Sequence, residues 1–419
     1  MAERTDRIDP GLLGLLDSFW PCDDRLEASV RGQGRPEFEP VASLVVVPNA
    51  QSPRFVLPLT HPQVMAATLS TYNRLRAGPT RTVRRLLAAA CRLGVVGSGG
   101  VVRGVGQVVE LRASPDQGCR SFFELLRQRL NRPDLQFAFG IGTMDHHYKP
   151  TVQAFGSRGE PVAFAKLGWT PPTAELVARE TSVLEQLHAR ATGDGGGRTP
   201  SVLPPPLLDH GRWHASPYLV TGALPTDVRS VPARQPLPNA ARSIAGPLHE
   251  QPLATSAYHN SVVVRIAALA ERGTDRTAGL LTAALEHLER SSANTVWRFG
   301  RWHGDFVPWN IARRDGQLHV WDWEHSTDQA PWGFDQLHWT VTVPHLTRNL
   351  PYPRATAAAT IPPDQIGAGS LPQLRTAYLI EMMLRSLALT PADTTHQPLY
   401  PELDRALETA LTTLCDGAP

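Results

Sequence analysis

The stretch His303-Gly304-Asp305-Phe306-Val307-Pro308-Trp309-Asn310 is followed by Ile311-Ala312, a turn at 313–317, and the apolar run Leu318-His319-Val320-Trp321 ending at Asp322. Two acids and an amide thus sit at loop and strand ends. If Leu318–Trp321 pairs back on the segment after Asn310, the hairpin brings Asn310 and Asp322 together and presents oxygen ligands of the kind Mg²⁺ prefers. Asp305, five residues before the amide, then lies beside the metal without having to bind it. Such an arrangement suits phosphoryl transfer, in which the metal neutralises nucleotide phosphates and a nearby carboxylate orients or deprotonates an acceptor hydroxyl.

The combination His303-x-Asp305-x-x-x-x-Asn310 with Asp322 about a dozen residues later resembles the aminoglycoside phosphotransferase and choline kinase-like family. That resemblance implies a two-lobed, protein-kinase-like α+β fold, with a small strand-rich N-lobe and a mainly helical C-lobe. It also implies roles: Asp305 as the catalytic carboxylate, His303 as a support for its loop, and Asn310 and Asp322 as holders of Mg²⁺. Protein kinases carry His-Arg-Asp and Asp-Phe-Gly at these places, where this chain has His303-Gly304-Asp305 and Asp322-Trp323-Glu324. Loss of the arginine argues against control by activation-loop phosphorylation and for the small-molecule branch. Asp335, in Pro331-Trp332-Gly333-Phe334-Asp335, resembles the family's later aspartate and is expected to brace the catalytic loop. Landmarks of the resemblance run from about 134 to 340, and more vaguely through the helices to 419. Residues 1–133 lie outside it.

A separate line of argument starts from lysine, of which the chain has only Lys149 and Lys166. Neither follows a glycine or precedes Ser/Thr, which excludes a Walker A loop. Lys166 ends the apolar strand Val162–Ala165. The helix expected at 173–188 carries its stripe on Leu176, Val177, Val183, Leu184 and Leu187, with Glu180 near the middle of that arc. A carboxylate facing the core needs a cation, and Lys166 is the one on offer. Such a Lys–Glu pair is what a kinase uses to hold the α- and β-phosphates of ATP, so ATP, or another NTP, is the expected cofactor together with Mg²⁺.

Softer expectations complete the site. Gly140-Ile141-Gly142-Thr143 follows a strand, and Gly142 could let backbone N–H groups approach phosphate, although Asp145 stands where a third glycine would be. Pro217–Gly222 resembles the hinge between lobes, with backbone groups of Leu219 to Thr221 reading adenine. His146 and His147 are expected to be solvated loop residues. Seven of the ten tryptophans fall between Trp297 and Trp339; most are expected to fill the second lobe, with Trp309 or Trp323 as candidates to stack on an acceptor.

The rest of the chain bounds the reading. At 419 residues, 42% of them hydrophobic and 19% charged, it can bury a large core, which excludes disordered and collagen-like classes. Its organisation is expected as an N-terminal extension over 1–133, an N-lobe with hinge over 134–222 and a helical C-lobe over 223–419. Strands are expected at Ser43–Val47, Arg54–Leu57, Leu135–Phe139, Thr151–Phe155, Val162–Lys166, Leu207–Trp213 and Tyr218–Thr221. Helices are expected at 62–76, 80–93, 120–130, 173–188, 255–272, 276–291, 371–389 and 397–414. The Gly94–Gly106 run reads as a connector, and the Pro-rich stretches 200–206 and 231–252 read as loops. Cys22, Cys91, Cys119 and Cys415 stand too far apart for a metal or redox motif, and no signal pattern or long apolar stretch occurs, which fits a reducing cytoplasm and no membrane span.

The expected partner is a hydroxyl acceptor: a sugar, an aminoglycoside-like compound, or a Ser/Thr of a modified peptide. Acids exceed bases by only two over 341–419, so a strongly acidic pocket for polycations is not written into that segment. Residues 51–135 hold thirteen arginines against four acids, a basic surface that could recruit an anionic partner. Few aromatics and no recognised motif there argue against nucleic acid. The competing reading, a catalytically silent kinase-like binder, is opposed by the joint presence of Lys166, Glu180, Asp305, Asn310 and Asp322.

Overall fold

A computed structural model describes residues 8–21, 26–59, 61–71, 80–92, 106–114, 120–142, 148–193, 201–234, 236–271, 275–388 and 402–416. The chain divides into two compact units, residues 1–181 with 205–226 and residues 182–204 with 227–419. The architecture is α+β, strand-rich in the first unit and mainly helical in the second. No helix among the described residues is long and apolar enough to cross a membrane.

The elements begin with α1 (Pro10–Phe19), β1 (Leu26–Val30), β2 (Glu39–Val47), β3 (Phe55–Pro58), α2 (Pro62–Thr71), α3 (Thr80–Arg92), β4 (Gln107–Ala113) and α4 (Phe122–Arg129). Next come β5 (Gln136–Gly140), β6 (Thr151–Phe155), β7 (Pro161–Leu167), α5 (Pro171–Gly193), β8 (Val202–Leu203), β9 (Leu207–Trp213) and β10 (Ser216–Gly222). In the first unit, nine described strands form one sheet in the order β1-β4-β2-β3-β5-β6-β7-β10-β9. It runs unbroken across residue 134, because β3 pairs with β5 through Phe55 opposite Gly140 and Val56 opposite Phe139.

Both faces of this sheet are covered, and the two-residue period of a strand decides what goes where. Leu44 and Val46 of β2, with Phe137 and Phe139 of β5, pack with Leu12, Leu16 and Phe19 of α1 and Phe122 and Phe123 of α4. The alternate residues Val45, Val47 and Ala138 pack on the other face with Val64, Met65 and Leu69 of α2 and Ala88 and Cys91 of α3. With Ala88 and Cys91 turned inward, Arg85 of α3 is exposed and Arg84 half-buried. A capping box opens α4, where Ser121 accepts from the Glu124 N–H and Glu124 accepts from the Ser121 N–H.

The second unit contains β11 (Arg229–Ser230), α6 (Pro238–Ala245), β12 (His249–Pro252), α7 (Ala257–Glu271), α8 (Asp275–Ser291), β13 (Val296–Trp302), β14 (Ile311–Arg314) and β15 (Gln317–Val320). It ends with β16 (Thr327–Pro331), α9 (Phe334–Arg348), α10 (Tyr352–Ala358), α11 (Leu371–Ala388) and α12 (Leu403–Asp416). Its core gathers Trp297, Phe299 and Trp302 of β13, Phe334 and Leu337 of α9, Tyr352 of α10 and Tyr378 of α11.

Three expectations are corrected here. The Pro-rich stretch 231–252 is not all loop: it holds α6, begun by Pro238, whose fixed φ suits a first helical turn, and β12, which pairs with β13. The Pro-rich stretch 200–206 is likewise not all loop, since β8 pairs with β15 through Val202 and Leu203. The elements α1, β1, β4, β11, β13, β16, α9 and α10 have no counterpart in the expected list. The Gly94–Gly106 connector, His146 and His147 lie, but for Gly106, outside the described residues.

Candidate functional site

The hairpin that the sequence calls for is present. Strands β14 and β15 pair antiparallel with Ile311 opposite Val320, and the Trp321 N–H donates to the Asn310 carbonyl at 3.2 Å. Asn310 therefore sits one residue from Asp322 across the ladder. Asp322 has φ +65°, a left-handed turn that ends the strand direction at that residue.

His303 is fully buried and its protonation follows from its partners. Its Nδ1 accepts from the Asp305 N–H at 3.1 Å, so the ring proton is on Nε2 and is donated to the Trp321 carbonyl at 3.0 Å. Burial lowers its pKa to about 4, with the charges of Asp305 and Asp322 opposing only in part. The neutral ring thus ties the 303–310 loop to the residue just before Asp322.

Asp335, at the start of α9, accepts both the His303 and Gly304 backbone N–H groups, at 2.9 and 3.2 Å. Burial raises its carboxyl to about 7, against those two N–H donors and reinforced by the Asp305 charge. Gly333, at φ +107°, turns the chain into α9 at the point that aims Asp335; a Cβ there would meet the Gln365 carbonyl at 2.4 Å.

The Asp305 carboxylate is held at both oxygens. Oδ1 accepts from His338 Nε2 at 3.0 Å, and Oδ2 accepts from Asn310 Nδ2 at 2.8 Å. Burial pushes Asp305 upward, but the hydrogen bond from His338, with the Arg385 charge behind it, outweighs that and holds the group below the usual carboxylate range. An ionised Asp305 accepts only, so the Asn310 amide must turn its NH₂ to it, and that leaves the Asn310 carbonyl oxygen as a hard donor beside Asp322. Arg385 of α11 donates to the Gly304 carbonyl.

In the first unit, Lys166 Nζ and Glu180 Oε2 stand 2.6 Å apart, with the lysine side chain 12% exposed and the glutamate 2%. Leu176, Val177, Val183 and Leu184 are buried on the same face of α5, as the stripe requires. Gly142 is exposed, and a Cβ there would make only ordinary contact with Tyr148, so nothing around it demands glycine. Thr143 and Asp145 lie outside the described residues.

Leu219 is opposite Lys166 on one side and His210 on the other, and Thr221 is opposite Phe164 and Leu207, with the register shifting between Val220 and Thr221. Leu219 thus lies inside the ladder and Thr221 at its irregular end. Trp323 is excluded as a stacking platform: it is buried against His303, with ring centroids 4.6 Å apart. Trp309 is half-buried. His338, Tyr378 and Arg385 were not anticipated. Among the described residues no group of three or more His, Cys, Asp or Glu could hold a metal by itself.

No family model and no curated protein matches the chain. Among solved structures it is similar to a thermostable aminoglycoside phosphotransferase APH(4)-Ia in complex with ADP and hygromycin B, at 13% identity over 72% of this chain and 100% of that one, TM-score 0.42. The streptomycin–ATP complex of APH(2")-IIa is similar at 10% identity over 70% and 95%, TM-score 0.37. At such values no residue role transfers, and the geometry above stands by itself. A macrolide 2'-phosphotransferase type I is similar at 13% identity over 71% and 99%, TM-score 0.36.

Proposed function

We propose that the chain is an ATP- and Mg²⁺-dependent phosphotransferase that moves the γ-phosphoryl group to a hydroxyl of a small molecule. The observation that carries this reading is the Asp305 carboxylate, ionised and held at both oxygens beside an amide that is itself fixed. Asp305 accepts the acceptor's hydroxyl proton as its oxygen attacks phosphorus and the bond to the ADP oxygen breaks. His303 and Asp335 contribute by fixing the loop, which keeps the carboxylate in reach without a search of conformations.

The donor set suits magnesium. A hard cation of this kind is usually bound by one or two protein oxygens together with substrate phosphates rather than by a protein cage. The Asn310 carbonyl and the Asp322 carboxylate are such oxygens. When bound, Mg²⁺ would neutralise phosphate charge. Lys166, oriented by Glu180, would contact the nucleotide phosphates. The test is a mass-spectrometric screen of hydroxyl compounds incubated with the protein, ATP and Mg²⁺. An acceptor gaining one phosphate supports the reading. Absence of both such a product and Mg²⁺-dependent ADP release would leave only the silent binder.

A further inference from the structure

We propose that His338 is the positioning residue of this site, holding the Asp305 carboxylate in the plane from which it accepts the hydroxyl proton; the proposal rests on the phosphotransfer reading above. A carboxylate rotates easily about its last bond, because terminal sp³–sp² torsions are broad. One hydrogen bond, from Asn310, leaves that rotation only partly restrained. The second bond, from His338 Nε2 to Oδ1 at 3.0 Å, sets the plane.

His338 can do this only as the Nε2–H tautomer, and its surroundings select it. The ring is 1% exposed and burial lowers its pKa, so it is neutral near pH 7. Its Nδ1 lies 3.0 Å from the Tyr378 hydroxyl and 3.5 Å from the Thr342 hydroxyl. Since Asp305 cannot donate, Nε2 carries the proton and Nδ1 accepts from Tyr378. Tyr378 in turn accepts from the Tyr352 hydroxyl at 3.3 Å. Tyr352 and Tyr378 are fully buried. Helices α10, α11 and α9 therefore supply Tyr352, Tyr378 and His338 as one connected row that ends on Asp305, in which each hydroxyl and ring nitrogen has a single consistent direction. Of the charged groups nearby, Arg385 acts on this row electrostatically and does not replace the Nε2 donor.

The experiment compares Mg²⁺-dependent ADP release from ATP, with water as acceptor, in the wild type, His338→Phe and His338→Gln. Phenylalanine keeps the ring volume and removes the donor; glutamine keeps an amide N–H of similar reach. The expected result is a kcat lowered by roughly 10–100-fold in His338→Phe, as for a misplacement of about an ångström. The KM for ATP should hold, with most of the rate recovered in His338→Gln. In an Asp305→Asn background, His338→Phe should cost nothing further. Equal kcat in His338→Phe, or losses that add fully to those of Asp305→Asn, would overturn the role of His338 alone. A wild type without Mg²⁺-dependent ADP release would overturn the phosphotransfer reading instead. The ¹⁵N spectrum of the histidine side chains in the full wild-type chain needs neither turnover nor a variant that folds. A neutral Nε2–H ring at His338 is expected, and an Nδ1–H ring would overturn the proposal.

Discussion

A Cβ placed on Gly304 would lie 2.4 Å from the carbonyl oxygen of His325. Gly304 also has φ +86°, in the left-handed region. Where protein kinases carry arginine, this loop has no room for any side chain, because the segment after Asp322 passes directly over it. The departure from His-Arg-Asp is thus a packing requirement of this chain.

Gly304→Ala should consequently be costly. It adds a backbone clash to a strained φ, and strain of that kind costs on the order of 1–3 kcal/mol before the clash is counted. Thermal unfolding of the variant should show a clearly lowered midpoint, and its turnover should fall because Asp305 follows directly. An unchanged midpoint would mean the loop has another way to run.

Asp335 makes a prediction in pH. Its carboxyl is raised to about 7 in the folded chain from an ordinary 3.8, so between those values the folded state holds a proton that the unfolded state has released. Stability from this group is fully present below about pH 4 and is lost as pH rises through about 7. Asp335→Asn keeps an oxygen for the His303 and Gly304 N–H groups and cannot titrate. Denaturant unfolding from pH 4 to 8 should show wild-type stability declining relative to the variant. Parallel curves would place the Asp335 pKa near its ordinary value.

The Lys166–Glu180 pair separates stability from activity. Removing one partner of a buried pair costs roughly 3–5 kcal/mol, because the other charge is left without compensation, whereas an apolar replacement of both is often neutral. Lys166→Met should lower the unfolding midpoint and Lys166→Met/Glu180→Leu should restore much of it. Neither should recover ATP turnover. Turnover restored in the double variant would remove the pair from nucleotide binding.

The site is legible in the sequence where its residues are close along the chain. The hairpin follows from an apolar run and a turn, and the Lys166–Glu180 pair from one lysine and one misplaced acid on a stripe. The first sheet is harder, because the pairing of β3 with β5 joins segments whose separation gives no local signal. Helix α9 is harder still. Phe334, Leu337, Trp339, Val341 and Val343 are buried, but so are Gln336, His338 and Thr342, so there is no apolar stripe to read. His338 nonetheless had a signal: it stands three residues after Asp335, on the same helix face, and a helix that aims Asp335 at the 303–310 loop aims His338 there too.

The central claim is that Asp305 takes the proton of a phosphoryl acceptor. Its most direct test is Mg²⁺-dependent ADP release by the wild type and Asp305→Asn side by side, with Mg–ATP affinity measured calorimetrically in both. The account predicts turnover lower by roughly 10²–10⁴-fold in the variant, the range for loss of a positioned proton acceptor, with affinity largely kept. Equal turnover in the two proteins would contradict it.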